Sequence, residues 1–238
     1  MKKLNFLLAL IAICLAGAAL YRTSPEGLER TLVNNPRMLL NASSAVEQLL
    51  QEEAAAKQQE AAKSAEAAIE ENIELFNNAE NDPFVGPKDA AATVVEFFDF
   101  SCGYCHALAP TLEGLIEANA DVKFVFKPLA FLSPASEYAA KALVAANIQG
   151  KGYDFYKEVM AISGLNEEKI NDAAKKAGVD VKKMKEDMES ETVEAVLRTN
   201  VDLAQKANIN GVPFLIINGK IMRSVSSEEL QDAINAVK

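Results

Sequence analysis

The sequence predicts an α/β fold that starts with a strand, a helix and a second strand and ends with a hairpin and a helix. The apolar, β-branched and aromatic run Val94–Phe100 is typical of a buried strand, and helix-forming residues follow it to about Ala118. Val122–Lys127 has the pattern of a second strand, parallel to the first because a helix connects the two. Phe214–Arg223 then reads as a β-hairpin, before a terminal helix that starts at Ser226.

A block of helices is expected between the second strand and the hairpin. Pro128 ends the strand, and Ser133 with Pro134 offers a helix start. This insertion covers residues 134–208, within a domain expected to start at the turn residues near position 81 and to run to 238. Four segments of it show helical patterning: Ala135–Asn147, Tyr153–Ile162, Asn166–Ala177 and Asp180 to about Ala207. Its large apolar side chains are expected in a core: Phe155, Met160, Met184 and Met188.

A Cys-x-x-Cys motif begins the helix after the first strand. Ser101 offers an N-cap, so Cys102 and Cys105 fall in the first helical turn. Backbone N–H groups there have no partner within the helix, and the macrodipole adds partial positive charge. Both effects favour a thiolate at Cys102, and Cys105 lies close enough to resolve a mixed disulfide. The motif is therefore in the position of a dithiol redox centre.

Composition leaves few other uses for this pair. Of the three cysteines, Cys14 lies in the apolar N-terminal run, whose removal would leave Cys102 and Cys105 as the remaining thiols. A structural disulfide within one chain would then not be possible. A structural zinc site would lack ligands, so no metal is expected. The net charge of −10 gives no support for nucleic-acid binding.

Two separated motifs resemble the thioredoxin superfamily. The first comprises Phe97, Phe98 and the Cys-Gly-Tyr-Cys, and the second is Gly211-Val212-Pro213-Phe214. The helical block between them resembles the DsbA-type branch, and the resemblance covers roughly Ala90 to Lys238. It implies a thioredoxin fold with an inserted helical subdomain and the chemistry of a thiol:disulfide interchange protein, with no bound cofactor.

The resemblance also implies a role for each residue of the motif. Cys102 would be the nucleophile and Cys105 the resolving cysteine, while Gly103 and Tyr104 between them would tune the thiolate. The Gly-Tyr pair is similar to that of DsbC-type isomerases, whereas valine at position 212 is similar to the oxidase branch. Isomerase and oxidase activities therefore both stay open.

The second motif implies a substrate-binding position. A cis bond between Val212 and Pro213 would lie against the sulfurs, and the Val212 backbone could pair with an extended substrate. The alternative is an ordinary trans proline at the start of a strand.

Two acidic residues lie close to the motif in sequence. Glu96 interrupts an apolar strand six residues before Cys102, where thioredoxin-like proteins have a buried acid. Desolvation would raise its pKa and let it relay a proton to or from Cys105. The alternative is a partly solvated strand-end residue paired with Lys127. Asp99 is expected at the mouth of the site, where its charge would slightly disfavour the thiolate.

His106, the only histidine in the sequence, directly follows the motif. It is either a helix-surface residue beside the site or a group that stabilises the thiolate. Cys-x-x-Cys-His is also the attachment pattern of c-type haem, with the histidine as axial ligand. The strand directly before Cys102 and the distant Val-Pro motif argue against haem.

Residues 1–20 have the pattern of a secretory signal. Lys2 and Lys3 precede the apolar run Leu4–Leu20, and small residues offer a cleavage site near Ala18. An uncleaved membrane anchor is the alternative. Either way the rest of the chain is exported, and together with the Cys-x-x-Cys motif this predicts a periplasm or cell envelope, where disulfides persist.

Residues 21–80 are expected to form a helical arm. Pro25–Leu40 reads as a short helix, a break at Pro36 and a new helix start, and Asn41–Asn78 as one long helix rich in Ala, Glu, Gln and Lys. A polar helix of this length needs a partner. An oligomerisation arm for a dimer or trimer, similar to those of DsbC-like and ScsC-like proteins, is therefore favoured over a helix packed against its own domain. Apolar residues mark both ends of the long helix: Val46, Leu49 and Leu50, then Ile69, Ile73 and Phe76.

These features and the resemblance predict an exported thiol:disulfide oxidoreductase that forms or rearranges disulfides in secreted proteins. Its expected partners are unfolded or misoxidised secreted proteins, a membrane redox partner protein and further copies of the same chain. A dedicated reductase would use the same chemistry. The alternative from another class is a surface or scaffold protein that acts through its helical arm.

Overall fold

The structure is a computed structural model that describes residues 12–13, 16–17, 34, 36–78, 80–223 and 225–238. The described residues divide into two compact units, Met1–Glu60 and Ala61–Lys238. The predicted signal at residues 1–20 and the short helix predicted before Pro36 lie almost wholly outside the described residues. Among the helices that are described, none has the length and apolar content needed to span a bilayer.

A long helix, α1, spans Pro36–Glu71, and a short helix, α2, spans Ile73–Asn78. Proline is suited to the first turn of α1, where its missing N–H would have had no helical partner. The single helix predicted over Asn41–Asn78 is thus interrupted at Asn72. There the Asn72 side-chain amide donates to the carbonyl of Ala68 over 2.8 Å, a local bond that competes with the regular helical pattern.

The two ends of this helical stretch have different surroundings. In the first unit, Leu49 and Leu50 are exposed. In the second unit, Ile69 and Phe76 are fully buried and form a cluster with Phe97 of the central sheet. The C-terminal turns therefore belong to the core of the second unit. The exposed leucines have the apolar surface that the predicted oligomerisation arm requires.

Within the described residues, five strands form a mixed sheet in the order β1-β3-β2-β4-β5. Strands β2 and β3 run parallel, and the other neighbouring strands run antiparallel. This arrangement confirms the predicted strand-helix-strand unit and the predicted hairpin. Strand β1 was not predicted, because two residues are too few to show a periodic pattern. The strands are β1 (Phe84–Val85), β2 (Thr93–Phe98), β3 (Lys123–Pro128), β4 (Phe214–Ile217) and β5 (Lys220–Met222).

Helix α3, Gly103–Ala118, connects β2 to β3, and helix α9, Ser227–Asn235, ends the described fold. The prediction of one helix from Asp180 to about Ala207 is wrong, because two helices cover this stretch. Ser190 accepts a hydrogen bond from the N–H of Val193 and so caps a new helix start. The insertion consists of α4 (Pro134–Ile148), α5 (Gly152–Met160), α6 (Glu167–Lys176), α7 (Val181–Asp187) and α8 (Glu191–Lys206).

Both faces of the sheet are covered, so every residue of β2 is buried. Because side chains alternate along a strand, Val95 and Phe97 contact the cluster that contains Phe76, whereas Val94 and Phe98 contact the cluster of α3 and the insertion. The predicted core residues of the insertion are buried in that second cluster: Phe155, Met160, Met184 and Met188. The structure confirms a thioredoxin fold with an inserted helical subdomain, and Glu96 lies on the face of β2 that α3 and the insertion cover.

Candidate redox-active site

Cys102 is the N-cap of helix α3, and Cys105 lies in its first turn. The Cys102 sulfur accepts a hydrogen bond from the N–H of Cys105, with 3.4 Å between nitrogen and sulfur. The prediction of Ser101 as the cap is wrong, because Cys102 takes that position and the Ser101 hydroxyl lies 2.7 Å from the Ser133 hydroxyl instead. The sulfur itself therefore occupies the position where unpaired N–H groups and the positive end of the helix dipole favour negative charge.

The two thiols differ in their access to solvent. Both are free thiols; Cys102 is 6% exposed, and Cys105 is 0% exposed. Burial raises the pKa of the Cys105 thiol far above its ordinary value, and its hydrogen bond with Cys102 and the charge of Glu96 add to the increase. Cys105 therefore keeps its proton until a base removes it.

The peptide bond between Val212 and Pro213 is cis, as the resemblance implied. The Val212 carbonyl accepts a hydrogen bond from the Cys102 thiol over 3.4 Å. The structure therefore brings the two motifs together, although 110 positions separate these residues in the sequence.

Glu96 is buried beneath the dithiol helix. The Tyr156 hydroxyl donates to its Oε2 over 2.8 Å, and its Oε1 accepts no hydrogen bond from the described residues. Burial raises the pKa of Glu96 to about 8, and the bond from Tyr156 offsets part of that effect. The alternative pairing with Lys127 is wrong, because the Lys127 ammonium donates to Asp82.

Asp99 is fully buried, so the prediction that it lies at the mouth of the site is wrong. Its Oδ1 accepts from the Ser136 hydroxyl over 2.5 Å and from the N–H of Ser101, and its Oδ2 accepts from the N–H groups of Phe131 and Leu132. A buried carboxylate requires donors of this kind. Asp99 thus ties the loop before α3 to the loop that leads into α4.

His106 is partly buried beside the cysteines and connects two parts of the domain. Its Nδ1 lies 2.7 Å from the carbonyl oxygen of Met160, and its Nε2 lies 2.7 Å from that of Phe100. Because both ring nitrogens face main-chain carbonyls, the geometry does not fit an axial haem ligand. In the part of the chain that the structure describes, no three His, Cys, Asp or Glu side chains lie together as metal ligands would.

The two residues between the cysteines lie at the surface. Gly103 is exposed, and Tyr104 is 80% exposed, so its ring does not cover the buried Cys105. Phe131 and Leu132, whose backbones are held by Asp99, are also exposed. The surface around the motif is therefore partly apolar.

Sequence reasoning did not identify Tyr156 or Ser136 as parts of the site. Tyr156 lies 60 positions from Glu96, and Ser136 lies 37 positions from Asp99. A tyrosine among the core positions of the insertion was one available signal, because a buried phenol needs a hydrogen-bond partner and a buried acid needs a donor.

The fold and the dithiol motif define a thioredoxin-like protein. A thioredoxin family model matches residues 78–236, which is more than half of the chain. The chain therefore belongs to the thioredoxin family.

Several known proteins are similar to this domain. The solved thioredoxin-like oxidoreductase from Silicibacter pomeroyi is 33% identical, with a TM-score of 0.65, and the match covers 68% of this chain and 95% of that one. Disulfide bond formation protein D of Bacillus subtilis is 27% identical over 166 residues, 64% of this chain and 75% of that protein. ScsC of Proteus mirabilis in a transitional conformation has the same fold at 24% identity, with a TM-score of 0.65, over 92% of this chain and 97% of that one.

A further relative is much longer. Na⁺/H⁺ antiporter NhaA 1 of Salinispora arenicola is 28% identical over 138 residues, which are 57% of this chain and 21% of that protein. The chain thus spans about a fifth of the length of the antiporters that it matches.

Proposed function

We propose that this chain is an exported thiol:disulfide oxidoreductase, with Cys102 as its nucleophile and Cys105 as its resolving cysteine. The observation that carries the proposal is the Cys102 sulfur at the N-cap of α3, with Cys105 buried behind it. A cap position favours a thiolate, which is the reactive form in disulfide exchange. The similarity to a thioredoxin-like oxidoreductase and to a disulfide bond formation protein supports the same chemistry.

The proposed reaction transfers two electrons between the dithiol and a substrate. The Cys102 thiolate attacks one sulfur of a substrate disulfide, a mixed disulfide forms, and the other substrate sulfur leaves as a thiolate. Cys105 gives its proton to Glu96 and attacks the Cys102 sulfur, which releases the first substrate sulfur and leaves a Cys102–Cys105 disulfide. The reverse sequence oxidises a substrate dithiol, after which a membrane redox partner protein must accept the two electrons.

The proposed substrates are unfolded or misoxidised secreted proteins. The exposed Tyr104 and the neighbouring apolar residues Phe131 and Leu132 offer a surface for unfolded chains. The Val212 carbonyl accepts a hydrogen bond from the Cys102 thiol, which places a backbone group of the second motif beside the nucleophile and supports pairing with an extended segment. Gly103 and Tyr104 favour isomerisation, whereas Val212 favours oxidation, and the proposal includes both activities.

Three assays with Cys102→Ala as a control test this proposal. Reduction of insulin, oxidation of reduced ribonuclease and refolding of scrambled ribonuclease report reductase, oxidase and isomerase activity. We expect at least one activity to depend on Cys102, and Cys105→Ala to accumulate a mixed disulfide at Cys102 that mass spectrometry detects. If all three assays show no activity, the oxidoreductase proposal is rejected in favour of a scaffold protein that acts through its arm.

Oligomerisation through residues 21–80 is also part of the proposal. Leu49 and Leu50 are exposed on a helix whose neighbouring surface is polar, which supports pairing with another copy of the chain. We expect wild-type protein to sediment as a dimer or trimer and the double substitution Leu49→Glu, Leu50→Glu to sediment as a monomer. A monomeric wild type at micromolar concentration would contradict this arm function.

Export to the periplasm or cell envelope completes the proposal. Residues 1–20 carry the signal pattern that supports it. The protein recovered from an envelope fraction is expected to begin after Ala18, which N-terminal sequencing measures. Recovery in the cytosol with reduced thiols would contradict export.

A further inference from the structure

We propose that Tyr156, in the inserted helix α5, is a positioning residue of the dithiol centre whose hydroxyl holds Glu96 ready to accept the proton of Cys105. This inference rests on the proposed function and adds a role for the insertion in it. Tyr156 touches neither substrate nor sulfur in this scheme, and it acts through the Glu96 carboxylate.

The position of the Tyr156 ring is fixed by packing. The side chain is buried, with its ring edge-on to Phe98 at 5.1 Å and tilted against Phe126 at 4.3 Å between centroids. These contacts leave the hydroxyl directed at Glu96 Oε2, 2.8 Å away. Among the described residues, Tyr156 is thus the hydrogen-bond donor on which this carboxylate depends.

The groups that face Glu96 explain why one donor matters. Strands β3 and β4 place the apolar residues Phe126 and Leu215 opposite Glu96. Helix α3 contributes the thiol of Cys105, and helix α5 contributes Tyr156, with Tyr153 next to it. With apolar strands on both sides, the hydrogen bond from Tyr156 is the main influence that favours the charged carboxylate.

The Tyr156 hydroxyl acts as a donor throughout the reaction. Burial, followed by the charge of Glu96, raises the pKa of Tyr156 well above its ordinary value, so the phenol keeps its proton. A donor to the charged form lowers the pKa of a carboxylic acid, which opposes the increase that burial causes at Glu96. Without this bond, Glu96 would remain protonated to higher pH and would accept the Cys105 proton less readily.

The proton balance of the step is simple. Cys105 S–H loses its proton to the Glu96 carboxylate and becomes the thiolate that attacks the Cys102 sulfur. In the opposite direction, Cys105 leaves the disulfide as a thiolate and takes the proton back from Glu96.

The direct test is the titration of Glu96 in wild type, Tyr156→Phe and Tyr153→Phe. Tyr153 is the matched control, because its ring also packs on Phe126 but its hydroxyl is not a hydrogen-bond partner of Glu96. Carbon-13 NMR of labelled glutamate side chains gives the midpoint, and the Glu96 signal is the one that Glu96→Gln removes. We expect Tyr156→Phe to raise the midpoint by about one pH unit, and Tyr153→Phe to leave it unchanged.

A kinetic measurement separates positioning from structural damage. In single-turnover resolution of a mixed disulfide at Cys102, Tyr156→Phe should be several-fold slower at pH 7 and should regain the wild-type rate above the shifted midpoint. The inference is overturned if Glu96 titrates alike in Tyr156→Phe and wild type, or if the rate deficit persists at high pH. Absence of Cys102-dependent exchange in wild type would instead reject the proposed function, while the NMR titration would still decide whether Tyr156 controls Glu96.

Discussion

The hydroxyl of Ser136 donates a hydrogen bond to Oδ1 of Asp99 over 2.5 Å, and this contact joins the first turn of the helical insertion to the loop before the dithiol. Ser133, the N-cap of α4, adds a second connection, because its hydroxyl lies 2.7 Å from that of Ser101. The redox loop and the insertion therefore share one buried polar network, in which each group depends on the others for its hydrogen bonds.

Replacement of Asp99 by alanine is predicted to destabilise the fold. The substitution removes the acceptor of the buried Ser136 hydroxyl and of the N–H groups of Phe131 and Leu132. We expect a loss of about 3 kcal/mol in the free energy of unfolding, measured with urea. Asp154→Ala, at an exposed position, is the control and should cost little. Equal losses in the two variants would contradict the role of the network.

Removal of one partner of the buried pair Lys127 and Asp82 is predicted to destabilise the fold more than replacement of both by apolar residues. Burial raises the pKa of Asp82 and lowers that of Lys127, and the attraction between the two charges opposes both shifts. We expect Lys127→Met or Asp82→Leu alone to cost about 3–5 kcal/mol, and the two together to cost less than either.

A double-mutant cycle in urea measures this coupling. The exposed pair Lys175 and Asp172 serves as the control, and its coupling should be far smaller. Additive losses at Lys127 and Asp82 would show that the two side chains do not compensate each other.

Phe76 is predicted to be part of the domain core although it lies before the family-matched region. Its ring packs edge-on against Phe97 with 5.8 Å between centroids. Phe76→Ala should lower the free energy of unfolding by about 3–5 kcal/mol. Its neighbour Leu75 is 44% exposed, so Leu75→Ala should change stability by less than about 1 kcal/mol. Similar losses for the two variants, measured by thermal and urea unfolding, would refute this assignment.

Glu96 is predicted to make the fold less stable as the pH rises. Its pKa is about 8 in the folded protein against an ordinary value of 4.5, so the folded state binds more protons between these values. The stabilisation is complete below the lower value and is lost as the pH rises through the higher one. Glu96→Gln should remove this dependence and should exceed wild type in stability above pH 8, by a few kcal/mol at most.

Urea unfolding of both proteins between pH 5 and pH 9 measures the effect of Glu96. The glutamine keeps an oxygen that accepts the Tyr156 hydrogen bond, so packing is largely preserved. Parallel pH profiles for the two proteins would show that Glu96 does not titrate in this range.

The elements that the sequence predicts correctly are those with local causes. The apolar run before Cys102 and the Asn218-Gly219 turn, where both residues have positive φ, form their strand and hairpin from short-range preferences. The boundary between α7 and α8 is set by Ser190, the N-cap of α8, and helical periodicity alone does not reveal it. The environments of Asp99, Glu96 and Lys127 depend on partners 37, 60 and 45 positions away, and a single sequence does not specify such pairs.

The sulfur that caps helix α3 links two equilibria that are usually measured separately. A thiolate accepts the Cys105 N–H more strongly than a disulfide sulfur does, because charge strengthens the bond. Folding and reduction of the pair therefore form a thermodynamic cycle. The amount by which reduction changes the free energy of folding equals the amount by which folding changes the free energy of reduction. A denaturation experiment on the oxidised and reduced forms would consequently measure the same quantity as a difference in reduction potential between the folded and unfolded chain.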